Sequence, residues 1–526
     1  MAKTFYITTA IYYTNSSPHV GHAYEMVLAD VIARYHRLKG EKVFFLTGVD
    51  QHGQKVQQSA AKAGVPPAEF VKGITQQFID LAKKLNVQYD DWAETIAPLH
   101  KKVVQGMLQR LFDEGQIYKD KQSGHYSIRQ EQFLTDKERG PDGEFGSEWG
   151  QVEFREEENY YFKLSQHKDW LLRYIDNRED AVIPDFRQTE LRNAVEKLNG
   201  DLCISRPKSR LDWGIELPFD KDFVTYVWFD ALSNYISFAG YDPKIDKYEQ
   251  QPREFLDKWP ALQVIGKDIL IPAHGIYWLI MLHALGFPDD AMPQLLVHGW
   301  WNISGAKMSK SLGNIVDPNA LADKYSADAV RYYLMSDIKT GKDADFDLER
   351  LIAHRYNGDL GNTLGNLVNR TINMIQRYRS GKLTAFASVD FADGSSFAEL
   401  AANVVDQYHE ELNRFSVNES AEHAIHFAKM CNLKIDVSAP WKLAKEESAE
   451  LLDRVLFGLT ESLRIIAILI SPVLPKAAHG IFDQLNWKMD LSGKEERFAL
   501  KDAEWGKLPD GHVVGKPVPL FPRIER

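Results

Sequence analysis

The N-terminal segment alternates between strand and helix patterns, and this alternation restricts the fold more than any other feature of the chain. A β-branched and aromatic segment, Thr4–Thr9, is followed by a helical pattern over Val20–Lys39 and by an apolar segment, Val43–Leu46. Ser17 and Pro18 are typical of a helix start. A strand, a helix and a strand in this order form a βαβ unit, which predicts parallel strands in an α/β sheet.

Two histidines stand where the first predicted strand passes into the helix. His19 and His22 lie three positions apart, within the first helical turn. The free backbone N–H groups and the dipole of a helix start attract anions. Gly21, between the histidines, has no Cβ and lets a nucleotide approach the backbone. We therefore expect His19 and His22 to contact phosphate oxygens.

A second signature, Lys307-Met308-Ser309-Lys310-Ser311, lies beyond the middle of the chain. Alone it is typical of a solvated basic loop, and an isolated His-x-x-His is typical of a chance surface pair. Their order and flanking elements predict one nucleoside triphosphate site, assembled from two distant stretches without a glycine-rich P-loop.

The composition predicts a soluble globular protein. At 526 residues and 44% hydrophobic content, the chain can bury several cores, and its length predicts about three or four domains. The longest apolar run, Ile465–Ile470, is far too short to span a bilayer. The chain enters a strand almost at once, which leaves no room for a signal peptide. We therefore expect a cytoplasmic protein with no membrane partner.

The cysteine content and the net charge limit the metal ions and nucleic acids that the chain is expected to bind. Cys203 and Cys431 form no C-x-x-C pair, which argues against a disulfide framework and against a structural zinc site. The net charge of −11 argues against a general nucleic-acid coat, although a docking surface needs only a local basic patch. One stretch offers either such a patch or a solvated helix face: Arg370, Arg377, Arg379 and Lys382.

The chain divides into an interrupted α/β part and a helical part. Residues 1–115 and 219–300 have the pattern of two halves of one doubly wound domain, separated by an insertion at 116–218. After a junction at 301–350, helical patterns dominate residues 351–526. The predicted helices are 100–114, 188–198, 360–378, 397–415, 419–435 and 449–470, and the predicted strands of the second half are Val224–Trp228, Leu262–Ile265 and Leu295–His298.

Six further segments accompany the two signatures in order along the chain: Asp50-Gln51-His52-Gly53, Tyr226–Ala231, Gly266-Lys267-Asp268, Asn362–Arg370, Ala439-Pro440-Trp441 and Leu520–Glu525. With these, the chain resembles the class I aminoacyl-tRNA synthetases and, among them, the methionyl-tRNA synthetase family. The resemblance implies an α/β fold: a split Rossmann-like doubly wound parallel-sheet catalytic domain, an inserted connective subdomain and an all-α anticodon-binding bundle. It implies that ATP with Mg²⁺ and methionine give methionyl-adenylate and pyrophosphate, and that methionine then passes to the 3′ end of tRNA(Met).

The resemblance assigns both signatures to catalysis. His19, Gly21 and His22 would bind ATP, and Lys307 and Lys310 would close over its phosphates from a mobile loop. The methionine carboxylate is already ionised at neutral pH, so the attack on the α-phosphorus needs no general base. Catalysis then rests on positioning and on stabilisation of the developing charge.

The resemblance also implies an amino-acid pocket. Asp50, expected at the carboxyl end of a strand, would hold the substrate ammonium. Arg206 and Asp268 would support the site. Tyr235 or His274 could donate a weak hydrogen bond to the thioether sulfur. The side chains expected around methionine are Ile11, Tyr13, Trp228, Ala231, Leu232, Tyr235 and His274.

The chain departs from the family pattern in several places. Position 232 is Leu where many relatives have Pro, and the segment between Asp268 and His274 is one residue longer than in some relatives. The insertion lacks the cysteines of a zinc knuckle, which predicts a form without structural zinc. It is also too small for the large editing domain of the leucine, isoleucine and valine enzymes. Pocket shape should exclude leucine but admit the shorter homocysteine.

Three residues are expected to read the tRNA. Asn366 and Arg370 lie four apart, hence on one helix face, and Trp441 follows Pro440, a typical first-turn residue. The resemblance assigns Asn366, Arg370 and Trp441 to the CAU anticodon, and single-stranded bases are read by stacking and by hydrogen bonds. The sequence stops after the bundle, without the extra oligonucleotide-fold domain of some relatives. Since that domain often dimerises, we expect a monomer.

Three other functions fit parts of the pattern. A cysteine synthetase typically selects its substrate with a zinc site, and this chain lacks the cysteines to build one. A small-molecule nucleotidyltransferase would share the His-x-Gly-His site, but such chains are short and have no helical bundle. A catalytically inactive tRNA-binding protein is disfavoured by the intact His19, His22, Lys307 and Lys310.

Overall fold

The chain is described by a computed structural model. The described residues are 3–127, 132–134, 136–140, 142–146, 149–303, 305–307, 316–387, 389, 396–445, 448–487 and 498–525. Among them, no helix combines the length and the apolar character needed to cross a membrane.

The N-terminal part forms the predicted βαβ unit and its continuation. Strand β1 pairs in parallel with β2, and β2 pairs in parallel with β3, so the predicted parallel sheet is confirmed. The predicted helix 100–114 is also confirmed, and its chain reverses at Gly115 with φ of 72°. The elements are β1 (Phe5–Tyr13), α1 (Val20–Leu38), β2 (Val43–Asp50), α2 (Gln54–Ala63), α3 (Pro67–Lys84), β3 (Asp91–Glu94) and α4 (Pro98–Asp113).

The inserted segment is built on a long antiparallel hairpin. Two short 3₁₀ turns, Asp136–Glu138 and Leu164–His167, punctuate it. The predicted helix 188–198 begins three residues earlier, and a helix over 168–177 was not predicted. The elements are β4 (Ile117–Ser127), β5 (Gln132–Leu134), β6 (Val152–Phe162), α5 (Lys168–Asn177), β7 (Val182–Ile183), α6 (Asp185–Glu196), β8 (Leu202–Cys203) and β9 (Ser205–Pro207).

The second half of the α/β part confirms two of three predicted strands in full. The predicted strand Val224–Trp228 is confirmed only over Val224–Thr225, which pairs antiparallel with β9 outside the main sheet, and its remainder is wrong because a helix begins at Val227. Apolar alternation does not distinguish a short strand from the first turn of a buried helix. The elements are β10 (Phe223–Thr225), α7 (Val227–Leu232), α8 (Asn234–Ser237), α9 (Arg253–Lys258), β11 (Ala261–Gly266), a π-helix (Leu270–Trp278), α10 (Leu279–Ala284), β12 (Gln294–His298) and 3₁₀ turns at Tyr248–Gln250 and Asp289–Ala291.

The junction and the C-terminal part carry the predicted helices. A small sheet in the order β14-β13-β15 follows the main sheet, and a helical bundle follows that. The elements are β13 (Trp301–Ile303), β14 (Ala306–Lys307), α11 (Pro318–Tyr325), α12 (Ala327–Ser336), β15 (Ala344–Asp345), a π-helix (Arg350–Gly365), α13 (Asn366–Arg379), α14 (Phe397–Asn413), α15 (Val417–Ser438), α16 (Pro440–Leu443), α17 (Ala449–Ile470), α18 (Pro475–Gln484) and a 3₁₀ turn (Leu500–Ala503).

The main sheet has six parallel strands in the order β3-β2-β1-β11-β12-β7. The chain runs outward from β1 to β3 and returns on the other side of β1 with β11. The order therefore reverses between β1 and β11, and ligands of open α/β sheets bind at such a point, beyond the carboxyl ends of the strands. The insertion is not separate from this sheet, because β7 lies at its edge.

One buried arginine joins the α/β part to the bundle. Arg331 in α12 is 0% exposed and lies 2.7 Å from the carboxylate of Asp30 in α1. Its guanidinium also donates to the carbonyls of Leu85, at 3.0 Å, Pro472, at 2.6 Å, and Val473, at 2.9 Å. A planar guanidinium with five donors suits such a site. Helices α1 and α12 and the end of α17 are thus held at one point.

Candidate active site

A cavity of about 520 Å³ opens at the carboxyl ends of the main-sheet strands, where the strand order reverses. This volume is in the range of small-molecule sites. The structure brings there twelve residues predicted from the sequence: Ile11, Tyr13, His19, Gly21, His22, Asp50, Trp228, Ala231, Leu232, Tyr235, Asp268 and His274.

The two histidines of the first signature close the start of α1. His19 is the N-cap residue, so the expectation that Ser17 caps this helix is wrong. The Nδ1 atom of His19 accepts from the Gly21 N–H, and the Nδ1 atom of His22 accepts from the His19 N–H, both at 3.1 Å. The rings stack with centroids 3.9 Å apart. Because both Nδ1 atoms accept, a neutral ring at either position carries its proton on Nε2.

Gly21 is required by its neighbour as well as by the cavity. A Cβ atom at this position would lie 2.9 Å from Cε1 of the His19 ring. Real Cβ contacts are not this short, so a larger residue would displace the ring. The glycine therefore preserves the cap, a reason that the sequence did not supply.

Asp50 ends β2 and is 6% exposed. Its Oδ1 accepts from the His52 N–H at 3.3 Å. Burial and the negative charge of Asp230 raise the pKa of Asp50 well above its ordinary value. A buried carboxylate in this state gains strongly from a cation in the cavity, as predicted for a residue that binds an ammonium.

The Tyr235 hydroxyl and the His274 ring, which were predicted to face the sulfur atom of methionine, form hydrogen bonds within the protein. Burial lowers the pKa of His274 to about 4, so its ring is neutral. Its Nδ1 donates to the Ile269 carbonyl at 2.9 Å, which leaves Nε2 as the acceptor of the Tyr235 hydroxyl at 2.8 Å. Tyr235 and His274 are therefore bonded to protein acceptors in this structure, and a hydrogen bond from either to a thioether stays a prediction. His274 lines the cavity from the segment Leu270–Trp278, which is kinked at Ile271.

The predicted supporting residues behave differently from each other. Asp268 lines the cavity and accepts from Nε1 of Trp300 at 3.1 Å. Arg206 lies behind the cavity wall and is 6% exposed. Its guanidinium donates to the Ser205 carbonyl at 2.7 Å. The guanidinium carbon Cζ lies 4.5 Å from the ring centre of Tyr226, a residue that lines the cavity. Arg206 therefore contacts the cavity lining through Tyr226.

A buried ion pair in the cavity was not anticipated. Glu25 of α1 accepts from the Ala10 N–H at 3.0 Å and lies 2.8 Å from Nε2 of His298, at the end of β12. The His298 Nδ1 donates to the Gly299 carbonyl at 2.7 Å. Burial acts to lower the pKa of His298, but the bond to Glu25 outweighs it and raises that pKa above its ordinary value. Glu25 and His298 each lie in an apolar stretch of the sequence, close to His22 and not far before Lys307, respectively. This nearness to the two signatures is the only sequence signal that could have marked them as site residues.

The second signature is only partly described. The backbone of Lys307 ends the short strand β14, where it pairs with Asn302 of β13. Lys310 lies outside the described residues. The β12–β13 connection that leads to the signature lines the cavity with Gly299, Trp300 and Trp301.

The three predicted anticodon residues lie together on the bundle, away from the cavity lining. Asn366 and Arg370 share α13: Asn366 donates to the Asn432 Oδ1 at 3.2 Å and Arg370 to the Asp436 Oδ1 at 2.6 Å. Trp441 is 41% exposed in the first turn of α16. Two large apolar side chains of the adjoining α15, Leu433 and Val437, are also exposed.

Fold and cavity define a class of protein: a nucleotide site at the reversal point of a split α/β sheet, followed by a helical bundle, is the architecture of a class I aminoacyl-tRNA synthetase. Two family models match the chain. The model for tRNA synthetases class I (M) covers residues 5–144 and 147–372, and the model for the anticodon binding domain of methionyl tRNA ligase covers residues 390–526.

Curated relatives and solved structures match along the whole length. A methionine–tRNA ligase of Caldanaerobacter subterraneus subsp. tengcongensis is 40% identical over 100% of this chain and 80% of its own. One of Nostoc sp. is 37% identical, with 100% and 98% covered. Mycobacterium tuberculosis methionyl-tRNA synthetase in complex with methionyl-adenylate superposes with a TM-score of 0.88 at 35% identity, over 99% of this chain and 100% of that one. The chain belongs to the methionyl-tRNA synthetase family.

Proposed function

We propose that the cavity joins methionine to ATP and that the bundle reads the anticodon of the receiving tRNA. As a member of its family the chain is a methionine–tRNA ligase. The observation that carries the assignment of residues is the pair of histidines at the start of α1, whose Nδ1 atoms cap the helix and whose side chains line the cavity.

The activation step needs a nucleophile, a leaving group and charge stabilisation. A methionine carboxylate oxygen attacks the α-phosphorus of ATP, and the bond from that phosphorus to the bridging oxygen of pyrophosphate breaks. The products are methionyl-adenylate and pyrophosphate, and no proton has to move. Nε2–H groups of His19 and His22 stabilise charge developing toward pyrophosphate, while Lys307 and Lys310 hold the β- and γ-phosphates.

The substrates and their surroundings follow from the same assignment. Asp50 receives the methionine ammonium, and apolar side chains of α7 enclose the thioether. ATP enters as its magnesium complex, with Mg²⁺ on the phosphates. Among the described residues, no group of three or more His, Cys, Asp or Glu side chains could hold a metal ion. We further propose that the protein is a cytoplasmic monomer without membrane partners. The five segments predicted from the sequence are proposed as its structural divisions.

The second step transfers methionine from the adenylate to a hydroxyl of the terminal adenosine, with AMP as the leaving group. Specificity for the tRNA comes from the bundle surface formed by Asn366, Arg370 and Trp441. The amide and the guanidinium offer hydrogen bonds to base edges, and the exposed indole offers a stacking face. The apolar Leu433 and Val437 beside them suit bases that are not paired.

The amino-acid dependence of ATP–pyrophosphate exchange tests the activation step. We expect exchange with methionine, weaker exchange with homocysteine, and none above background with leucine or cysteine. Stronger exchange with any of the other nineteen amino acids would contradict the assignment of the cavity.

The anticodon surface is tested by Trp441→Ala. Removing the stacking face should cost about 1–3 kcal/mol of tRNA binding, which lowers charging about 5- to 150-fold, and should leave methionine-dependent exchange unchanged. Leu451→Ala, another exposed apolar residue of the bundle, is the matched control. If the Trp441 variant and the control charge tRNA equally well, Trp441 takes no part in reading the anticodon.

The commitment of the Tyr235 hydroxyl to His274 gives a further prediction. Tyr235→Phe leaves the His274 Nε2 atom without its donor, which should cost about 1 kcal/mol of stability and raise the KM for methionine. Norleucine replaces the sulfur atom of methionine with a methylene. The ratio of exchange with methionine to exchange with norleucine should stay within about twofold, because no hydrogen bond to sulfur is lost. A fall of this ratio would restore Tyr235 as a donor to sulfur.

A further inference from the structure

A buried cluster behind the cavity wall has no part in the steps above. The carboxylate of Asp230 lies between two imidazoles, with Oδ2 2.6 Å from Nδ1 of His52 and Oδ1 2.8 Å from Nε2 of His100. The three side chains are between 0% and 3% exposed. A buried carboxylate needs such partners, because an unpaired charge in the protein interior is very costly.

The cluster joins three elements on two sides of the proposed amino-acid pocket. His52 lies in the turn after β2, two residues beyond Asp50, and His100 lies in α4. Asp230 lies in α7, one residue before Ala231, which lines the cavity. The hydrogen bonds therefore fix the apolar wall of the pocket relative to the carboxylate proposed for the ammonium.

The cluster also places a second negative charge beside Asp50. Burial acts to raise the pKa of Asp230, but the two histidines outweigh it and lower the pKa to about 2, so Asp230 stays ionised. Asp50, by contrast, has its pKa raised by burial and by Asp230. Tyr13 of β1 is the register partner of Asp50, and the His52 N–H donates to the Asp50 Oδ1. The remaining titratable side chains that line the cavity are Tyr12, His19, His22, Tyr24, Glu25, Lys55, Tyr226, Tyr235, Asp268, His274 and His298.

We infer that Asp230, held by His52 and His100, is a positioning residue for methionine: it fixes the pocket wall and adds its charge to that of Asp50 in selecting the ammonium. The inference rests on the proposed role of Asp50. An ammonium bound at Asp50 relieves the repulsion between the two carboxylates, so binding is favoured by both charges.

The test is the pH dependence of kcat/KM for methionine in ATP–pyrophosphate exchange, measured for the wild-type chain and for Asp230→Asn. The wild type should lose activity as the pH falls through the raised pKa of free Asp50, since only its carboxylate binds the ammonium. In the variant this acid limb should move to lower pH, because the neighbouring charge is gone. The KM for methionine should rise about tenfold, or about 1.4 kcal/mol, and that for ATP should change less than about twofold.

A merely structural role predicts a different result. General damage would raise both KM values together and would leave the acid limb in place or move it to higher pH, and this outcome would overturn the inference. If Asp230→Asn does not fold, the pair His100→Gln and His100→Phe decides, because glutamine can keep a donor for Asp230 and phenylalanine cannot. The inference requires a raised methionine KM in the phenylalanine variant only, and equal values would overturn it.

Failure of the proposed function would be recognised separately. Asp50→Asn should abolish methionine selectivity, whatever the state of Asp230. If Asp50→Asn binds methionine normally, the role proposed for Asp50 is wrong. If Asp50→Asn fails as expected while Asp230→Asn behaves as the wild type, only the present inference is wrong.

Discussion

The double variant His19→Asn, His22→Gln should lose about 10²–10³ in the rate of methionine activation while keeping its melting temperature. Asparagine is a favourable N-cap residue, and glutamine at the third helical position completes a conventional capping box. Both side chains can therefore accept the backbone N–H groups now bonded to the imidazoles. With their oxygens held by these N–H groups, the shorter asparagine cannot reach the position of the His19 Nε2 atom, and glutamine offers only a flexible neutral amide in place of the His22 Nε2–H, so the contacts to phosphate are weakened while α1 keeps its start.

The control for this experiment is His19→Ala, which removes the cap together with the ring. It should lose the same activity and in addition about 1 kcal/mol of stability. Pre-steady-state measurement of adenylate formation, with thermal unfolding of each variant, separates the two effects. Full activity in the double variant would show that the imidazoles serve the helix only, and that phosphate is held by other groups.

Arg331→Met should destabilise the chain by about 3–5 kcal/mol. The substitution leaves Asp30 with one fewer cation and three buried carbonyls without their donor. Urea unfolding measures the loss, and the α/β part and the bundle should then unfold less cooperatively because their shared contact is gone.

An exposed ion pair provides the comparison. Arg454 and Glu450 lie in adjacent turns at the start of α17, with side chains 38% and 74% exposed. Arg454→Met should change stability by less than about 1 kcal/mol, because exposed pairs contribute little. A similar small change for Arg331→Met would mean that the junction is held by apolar packing alone.

Periodicity and helix signals predicted most of the fold because they act locally. The βαβ unit, α14, α15 and α17 have clear apolar faces and recognisable ends, and each is confirmed. The predicted strand at Val224–Trp228 failed beyond Thr225 for a different reason: the apolar and aromatic side chains that follow line the cavity at the start of a short helix. The two residues of β7 are too few to give any periodic signal, so their place in the main sheet could not be predicted.

The candidate site divides in the same way. Residues inside motifs, such as His19 and Asp50, were predicted and line the cavity. The pair Glu25 and His298 lies 273 positions apart, and the bond between them exists only in the folded chain. The orientation of the Tyr235 hydroxyl depends on which nitrogen of His274 carries the proton, and that is fixed by the Ile269 carbonyl. No pattern of residue types contains this information.

The two residues of β7 restrict how the inserted segment 116–218 can be shortened or lengthened. They cover the outer backbone of β12 at Leu295 and Leu296, in the strand that leads to the lysine signature. A chain shortened by the whole of 116–218 would uncover this edge and present it to other chains as a template for aggregation. Additions and deletions during evolution should therefore accumulate between β4 and β6, far along the hairpin, while the stretch from α5 to α6 keeps its length.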